Sequence, residues 1–188
     1  MTVILHALLL EIPEKLESER LTLAASRAGQ GAAVNEAVLE SMPRLKPWMP
    51  WAQQPPSLDE SETVCREAQA KWIARETLDF CLFARPGGRL VGKGGLHTID
   101  WTVPKFEIGY WIRTARAGNG FATEATRALV EFARSLGAHR VEITCNAANA
   151  SSRRVAEKSG FALEGVLRNH RRATDGSLAD TCMYARVF

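Results

Sequence analysis

The chain has 188 residues, 46% hydrophobic and 24% charged, and its 24 Lys and Arg against 21 Asp and Glu leave a formal charge of +3. That is the length of one ordinary domain, and the composition excludes a disordered, collagen-like or disulfide-scaffold protein. A charge so close to neutral argues against a nucleic-acid partner and leaves room for a small anionic ligand.

Reading along the chain, the apolar run Val3–Leu10 is far shorter than the ~20 residues that span a bilayer. It has no cationic lead or small-residue cleavage site, so neither a signal peptide nor a membrane segment is expected and the location reads as cytoplasmic. Residues 1–18 read as an N-terminal extension and about 19–188 as one domain within 1–188. Arg20-Leu21-Thr22-Leu23 alternates as a strand does. A helix is predicted from Gln30 to Leu39, with Pro43 beyond its end. Lys46 to Pro56 carries four prolines with Trp48 and Trp51, which predicts a loop with an aromatic surface. Ser57-Leu58-Asp59-Glu60 is a capping box, opening a helix to about Glu76.

Asp79–Ala84 and Leu90–Ile99 form a hairpin about Pro86-Gly87-Gly88. After a turn near Pro104 comes the apolar strand Phe106–Ile112. Ala122–Leu136 places Ala125, Leu129, Phe132, Ala133 and Leu136 on one helical face and ends at Gly137. A strand at Arg140–Cys145, a helix at Asn149–Ser159 closed by Gly160, and strands at Ala162–Leu167 and Asp180–Val187 follow. The strand–helix–strand crossover makes Phe106–Ile112 and Val141–Cys145 parallel. The sum is an α+β fold: a mixed, mostly antiparallel sheet of six to seven strands with a central parallel pair and flanking helices.

Cys65, Cys81, Cys145 and Cys182 include no C-x-x-C pair, and His6, His97 and His139 lack metal-ligand spacing, so reduced thiols and no metal are expected. Ala117-Gly118-Asn119-Gly120-Phe121-Ala122 lies between a strand and a helix, where glycines allow close backbone approach and the helix start offers free amides to a phosphate. It is neither a Walker A loop nor G-x-G-x-x-G. On its own it equally suits a plain strand-to-helix connection.

Taken together, Glu107-Ile108-Gly109-Tyr110-Trp111-Ile112, Gly118-x-Gly120-x-Ala122-Thr123-Glu124-Ala125, Asn149-x-x-Ser152-x-x-Val155-Ala156-Glu157-Lys158-x-Gly160-Phe161 and Glu164-Gly165 resemble the GNAT acetyltransferase superfamily. Leu45-x-x-Trp48-x-x-Trp51 and Met183-Tyr184-Ala185-Arg186 resemble its RimJ/RimL branch, which acetylates ribosomal-protein N-termini. The likeness runs from about Arg20 to Arg186. It implies an acetyl-coenzyme A enzyme, with the pyrophosphate on backbone amides of Gly118, Asn119, Gly120, Phe121 and Ala122. The pantetheine arm would lie where the two parallel strands splay, touched by backbone near Ile112 and by the Asn149 side chain. Ala117 departs from the Gln or Arg usual at its position, with Arg116 one place early, which implies weaker or differently anchored coenzyme.

The acceptor implied is a primary amine, of a protein N-terminus or a small molecule, attacking directly in a ternary complex. A homodimer is common in the family. Glu107 is the candidate base, with His170 or a water chain as alternatives; it equally reads as a solvated or salt-bridged strand residue. Ser152 is the candidate acid, although with Asn149 it also satisfies helix-start amides. Glu124 is explained by the helix dipole, and Tyr184 and Cys145 as core residues. The branch's second glutamate is missing, since Arg168-Asn169-His170-Arg171-Arg172 holds no carboxylate. Such a cationic cluster favours an acceptor carrying a carboxylate or phosphate, or is simply a solvated turn. Two other readings are a weakly catalytic coenzyme-A-binding sensor of the same fold and a nucleic-acid or ribosome-surface binder using Arg168, Arg171 and Arg172.

Overall fold

A computed structural model describes residues 7–188, so the Val3–His6 part of the first apolar run lies outside the described residues. The elements in order are β1 (Lys15–Glu17), β2 (Leu21–Ala25), α1 (Gly31–Leu45), α2 (Leu58–Ile73), β3 (Leu78–Ala84), β4 (Leu90–Asp100), β5 (Lys105–Ile112), α3 (Phe121–Ser135), β6 (Arg140–Asn146), α4 (Ala150–Lys158), β7 (Ala162–Arg172) and β8 (Leu178–Val187). One eight-stranded sheet runs β1-β2-β3-β4-β5-β6-β8-β7. Every neighbouring pair is antiparallel except β5–β6.

The sheet has more strands than the pattern predicted. Lys15–Glu17 pairs with β2 through Leu16↔Leu23, but three residues are too few to show alternation in sequence. Helix α1 also runs six residues past Leu39, with Pro43 inside it. A proline in the last turn removes only one amide donor, and Lys46 N still donates to Met42 O at 2.9 Å. The α1 start has no side-chain cap of its own. Instead Glu62 of α2 accepts from Gly29 N and Gly31 N at 2.9 and 3.0 Å, which docks the two helices end to side. Helix α2 itself opens on the expected capping box, Ser57 Oγ accepting from Glu60 N and Glu60 Oε2 from Ser57 N.

Strand alternation divides the apolar side chains between two layers. Leu21, Leu23, Phe80, Leu82, Phe106, Ile108, Val141 and Ile143 pack with Ala125, Leu129, Val130 and Phe132 of α3. On the opposite face Cys81 and Leu90 pack with Val34, Ala37 and Val38 of α1 and Cys65 of α2. Strand β7 runs to Arg172 rather than Leu167. Arg168–Arg172 therefore belongs to a bulged edge strand, the register slipping between Leu167 and Arg171, and is not the turn that its polarity suggested. At the hairpin tip, Thr174 Oγ1 donates to Pro47 O at 3.1 Å, so β7–β8 reaches across to the proline loop.

Leu129 is fully buried under β5 and β4. Leu129→Ala should therefore lower unfolding free energy by about 2–5 kcal/mol, as core leucine truncations do, read from urea unfolding with the m-value unchanged.

Candidate active site

The pairing of β5 with β6 is confined to Lys105↔Arg140, Phe106↔Val141 and Glu107↔Glu142. Beyond Glu107, β5 stays paired only with β4, as far as Ile112↔Gly92, and β6 only with β8. Arg113 N donates to Val91 O at 2.8 Å. Antiparallel pairing alternates, so Trp111 and Gly109 also bond towards β4, and the backbone groups of Ile112 and Tyr110 face the opened side. This is the edge on which the sequence placed Ile112.

The glycine loop joins this opening to α3. Gly118 and Gly120 both have φ near +80°, a conformation that side-chain-bearing residues adopt at a cost. Nothing lies within 4 Å of a Cβ built at Gly118. Gly120 is the N-cap of α3 and offers no capping side chain, so the first-turn amides of Phe121 and Ala122 remain for a ligand. The Asn119 side chain is engaged within the loop, donating to Arg116 O and Ala117 O at 3.3 and 3.1 Å; its backbone amide is what it can offer.

Ion pairs hold the loop from two sides. Arg113, buried to 2%, pairs with Glu36 and Glu40 of α1 at 2.5 and 2.6 Å, and Glu40 also accepts from Ala115 N at 2.9 Å. The Arg113 hydrogen bond, then the Ala115 amide, hold the Glu40 carboxyl below its usual value. On the outer side Arg20 pairs with Glu124 at 2.7 Å, donates to Asn119 O at 3.0 Å and lies over the Phe121 ring at 4.7 Å. Glu124 thus adds a tie across the chain to its place in the first turn of α3, where the helix dipole favours a carboxylate.

Ser152 and Tyr110 meet where the strands part. Asn149 caps α4, its Oδ1 accepting from Ser152 N at 3.0 Å. Ser152 Oγ lies 3.1 Å from Tyr110 Oη. Burial pushes the Tyr110 phenol up to about 12, against the Ser152 hydrogen bond, so it keeps its proton at neutral pH. Burial likewise raises the Cys145 thiol, with Ser152 opposing. Tyr184 is buried, donating to Glu157 Oε1 and accepting from Arg153 Nε, a core residue as expected.

Glu107 projects to the α1–α2 side of the sheet. Its Oε1 accepts from Thr144 Oγ1 of β6 at 2.5 Å and its Oε2 from Thr98 Oγ1 at 3.3 Å. Thr144 lies two residues beyond the last β5–β6 register pair, so the carboxylate bridges the strands as they separate. Next to it opens a cleft of about 660 Å³ lined by Val34, Val38, Trp51, His97, Gly109 and Trp111 among others. At its floor Lys93, 8% exposed, pairs with Asp79 at 2.6 Å. Trp51 is half exposed and 6.2 Å from Trp111, a tilted aromatic wall. His170 is not in this group: its Nδ1 lies 3.1 Å from Thr181 Oγ1, which also accepts from Arg171 Nε.

Sequence reading overlooked His97, Tyr110, Arg113 and the Asp79–Lys93 pair. Strand alternation across the β4–β5 hairpin, with His97↔Glu107 in register, was the available signal for the first. Among the described residues no group of three or more His, Cys, Asp or Glu could hold a metal, and no helix is long and apolar enough to cross a membrane.

Residues 20–162 match the profile of the Acetyltransferase (GNAT) domain. YdaF of Bacillus subtilis (strain 168), named as a candidate ribosomal N-acetyltransferase, is 30% identical over 154 residues, 81% of this chain and 83% of that protein. The ribosomal-protein-serine acetyltransferase of Escherichia coli (strain K12) is 33% identical over 99 residues, 52% and 55% of the two chains. Among solved structures, RimL, an acetyltransferase of the α-amine of ribosomal L7/L12, in complex with coenzyme A, superimposes with a TM-score of 0.84. It has 25% identity and the alignment covers 94% of this chain and 97% of that one.

Burial raises the Glu124 carboxyl, but hydrogen bonds from Ser18 and Arg20 outweigh it and hold the group below its ordinary 4.5. A carboxylate of lowered pKa stabilises the fold fully above that ordinary value and loses the contribution as pH falls through the lowered one. Glu124→Gln should melt lower than wild type at pH 7, and the gap in Tm should close on acidification below pH 4.5.

Proposed function

The chain belongs to the GNAT acetyltransferase family, and from that premise we propose that it moves the acetyl group of acetyl-coenzyme A to a primary amine by direct attack in a ternary complex. The observation that carries this reading is the parting of β5 from β6 immediately after Glu107, beside the open start of α3. The loop residues fit the co-substrate. Amides of Gly118 to Ala122 suit a pyrophosphate, unpaired backbone at Ile112 suits an extended amide-bearing arm, and the Asn149 amide can donate to it.

Ser152, hydrogen-bonded to a protonated Tyr110, is the candidate donor to the departing sulfur. Glu107 is the candidate carboxylate of the base system that takes the acceptor's proton. Names borne by the relatives support a protein α-amine as acceptor, and the cleft between the proline loop and the sheet is wide enough for a peptide end. That cleft mixes Glu67, Asp79, Lys71 and Lys93. Arg171 and Arg172 are instead tied to Thr181 Oγ1 and Gly176 O. The case for a strictly acidic acceptor therefore rests on Arg168.

Acetyl-coenzyme A at a hundred times its Kd should stabilise the wild-type chain by about 2.7 kcal/mol, seen as a rise in Tm. Gly120→Val, which forces a β-branched residue to φ near +80°, should abolish that rise. The acceptor is sought by following free-thiol release with synthetic peptides beginning with Ser or Ala and with small primary amines. Ser152→Ala should lower kcat about 10²-fold, the lower range for loss of general acid catalysis, with KM for acetyl-coenzyme A little changed. Binding without thiol release on any amine would favour the sensor over the enzyme.

A further inference from the structure

Glu107 is enclosed by two threonine hydroxyls and does not itself line the acceptor cleft; the group that does is His97. We propose that His97 Nε2 is the atom that removes the acceptor's proton, with Thr98 and Glu107 as positioning residues behind it. This rests on the acetyltransferase reading above.

Counting protons points to one tautomer. A carboxylate only accepts, so the contact of Thr98 Oγ1 with Glu107 Oε2 at 3.3 Å uses the single hydroxyl hydrogen of Thr98. With that hydrogen so used, Thr98 Oγ1 accepts from His97 Nδ1, 3.0 Å away. His97 Nδ1 also lies 3.9 Å from Glu107 Oε2, so the carboxylate stabilises the imidazolium once formed. The neutral ring carries its hydrogen on Nδ1 and presents a bare Nε2. That nitrogen lies over Gly109, where a Cβ would stand only 2.8 Å from it.

Two features hold the ring there. Gly109 leaves the floor open beneath the imidazole. Thr98 has φ +49° at the bulge between His97 and Asp100, a left-handed conformation that a β-branched residue avoids unless its surroundings impose it. This bend turns the Thr98 hydroxyl between His97 and Glu107. The other charged groups lining the cleft are Glu60, Glu67 and Lys71 of α2, Asp79 of β3 and Lys93 of β4.

In the reaction, the acceptor ammonium gives one proton to His97 Nε2 and becomes a neutral amine. Its nitrogen forms a C–N bond to the thioester carbonyl carbon, the C–S bond breaks, and the electron pair leaves with sulfur. The nitrogen's second proton neutralises the thiolate by way of Ser152 or water, and the imidazolium returns its proton to solvent.

Long-range ¹H–¹⁵N spectra of the uniformly labelled wild-type chain report the tautomer without any substrate. The expected result is Nδ1–H with bare Nε2 for His97, and a change towards Nε2–H in Glu107→Gln, whose amide can donate to Thr98. An Nε2–H wild-type ring overturns the proposal. With an amine that turns over, His97→Asn should lower kcat about 10²-fold or more while Tm and the acetyl-coenzyme A Kd stay unchanged. The wild-type kcat should plateau at high pH, whereas that of His97→Asn should keep rising with the free-amine fraction. Gly109→Ala should lower kcat in the same direction by displacing the ring. Wild-type turnover that survives His97→Asn within threefold overturns the proposal alone. No turnover by the wild-type chain on any amine overturns the acetyltransferase reading and this inference with it.

Discussion

The structure turns on one broken pairing. Two parallel strands share three register pairs and then separate, leaving backbone donors and acceptors of β5 without a sheet partner. Unpaired groups of that kind are costly when buried dry, so the gap is stable only if it stays wet or is filled by something with amides of its own. The neighbouring elements are arranged around that need. Helix α3 starts at the mouth of the gap, α4 sends Ser152 towards it, and the β7–β8 hairpin passes over to the proline loop.

Keeping a sheet open requires that its margins be rigid. Arg113, at the end of β5, is nearly buried and satisfied by two glutamates of α1. Removing both carboxylates would leave a desolvated guanidinium without a counter-charge, which is why such groups act as positional ties even where their net stabilisation is small. Arg20 and Glu124 make the second tie, bringing the first long strand against the glycine loop. With both ends fixed, the loop's amides are held in place before any ligand arrives.

Much of this was legible in the sequence because it depends on local chemistry. The Ser57–Glu60 box, the Asn149 cap and the two loop glycines are each read within a few residues, and the crossover followed from element order. What was not legible depends on contacts made far along the chain. Helix α1 begins where Glu62 caps it from another helix, a tie over about thirty residues. Strand β1 is a strand only because β2 offers its edge. Arg168–Arg172 resembles a turn until β8 pairs with it.

The base system is a case of the same kind. Glu107 is the candidate base as a carboxylate on the strand leading into the gap that resembles a strand glutamate of the superfamily, and it lies on that strand, Lys105–Ile112. A carboxylate is a useful base only if it can reach the proton, and both Glu107 oxygens are already accepting from threonines. Each oxygen keeps a second lone pair, and on the proposed reading the carboxylate acts on His97, its register partner on β4, whose Nδ1 lies 3.9 Å away. Under the proposal, two residues ten apart in sequence take distinct roles only through the hairpin that sets them side by side. A strand glutamate in such a site is better judged by what occupies its lone pairs than by its position in a motif.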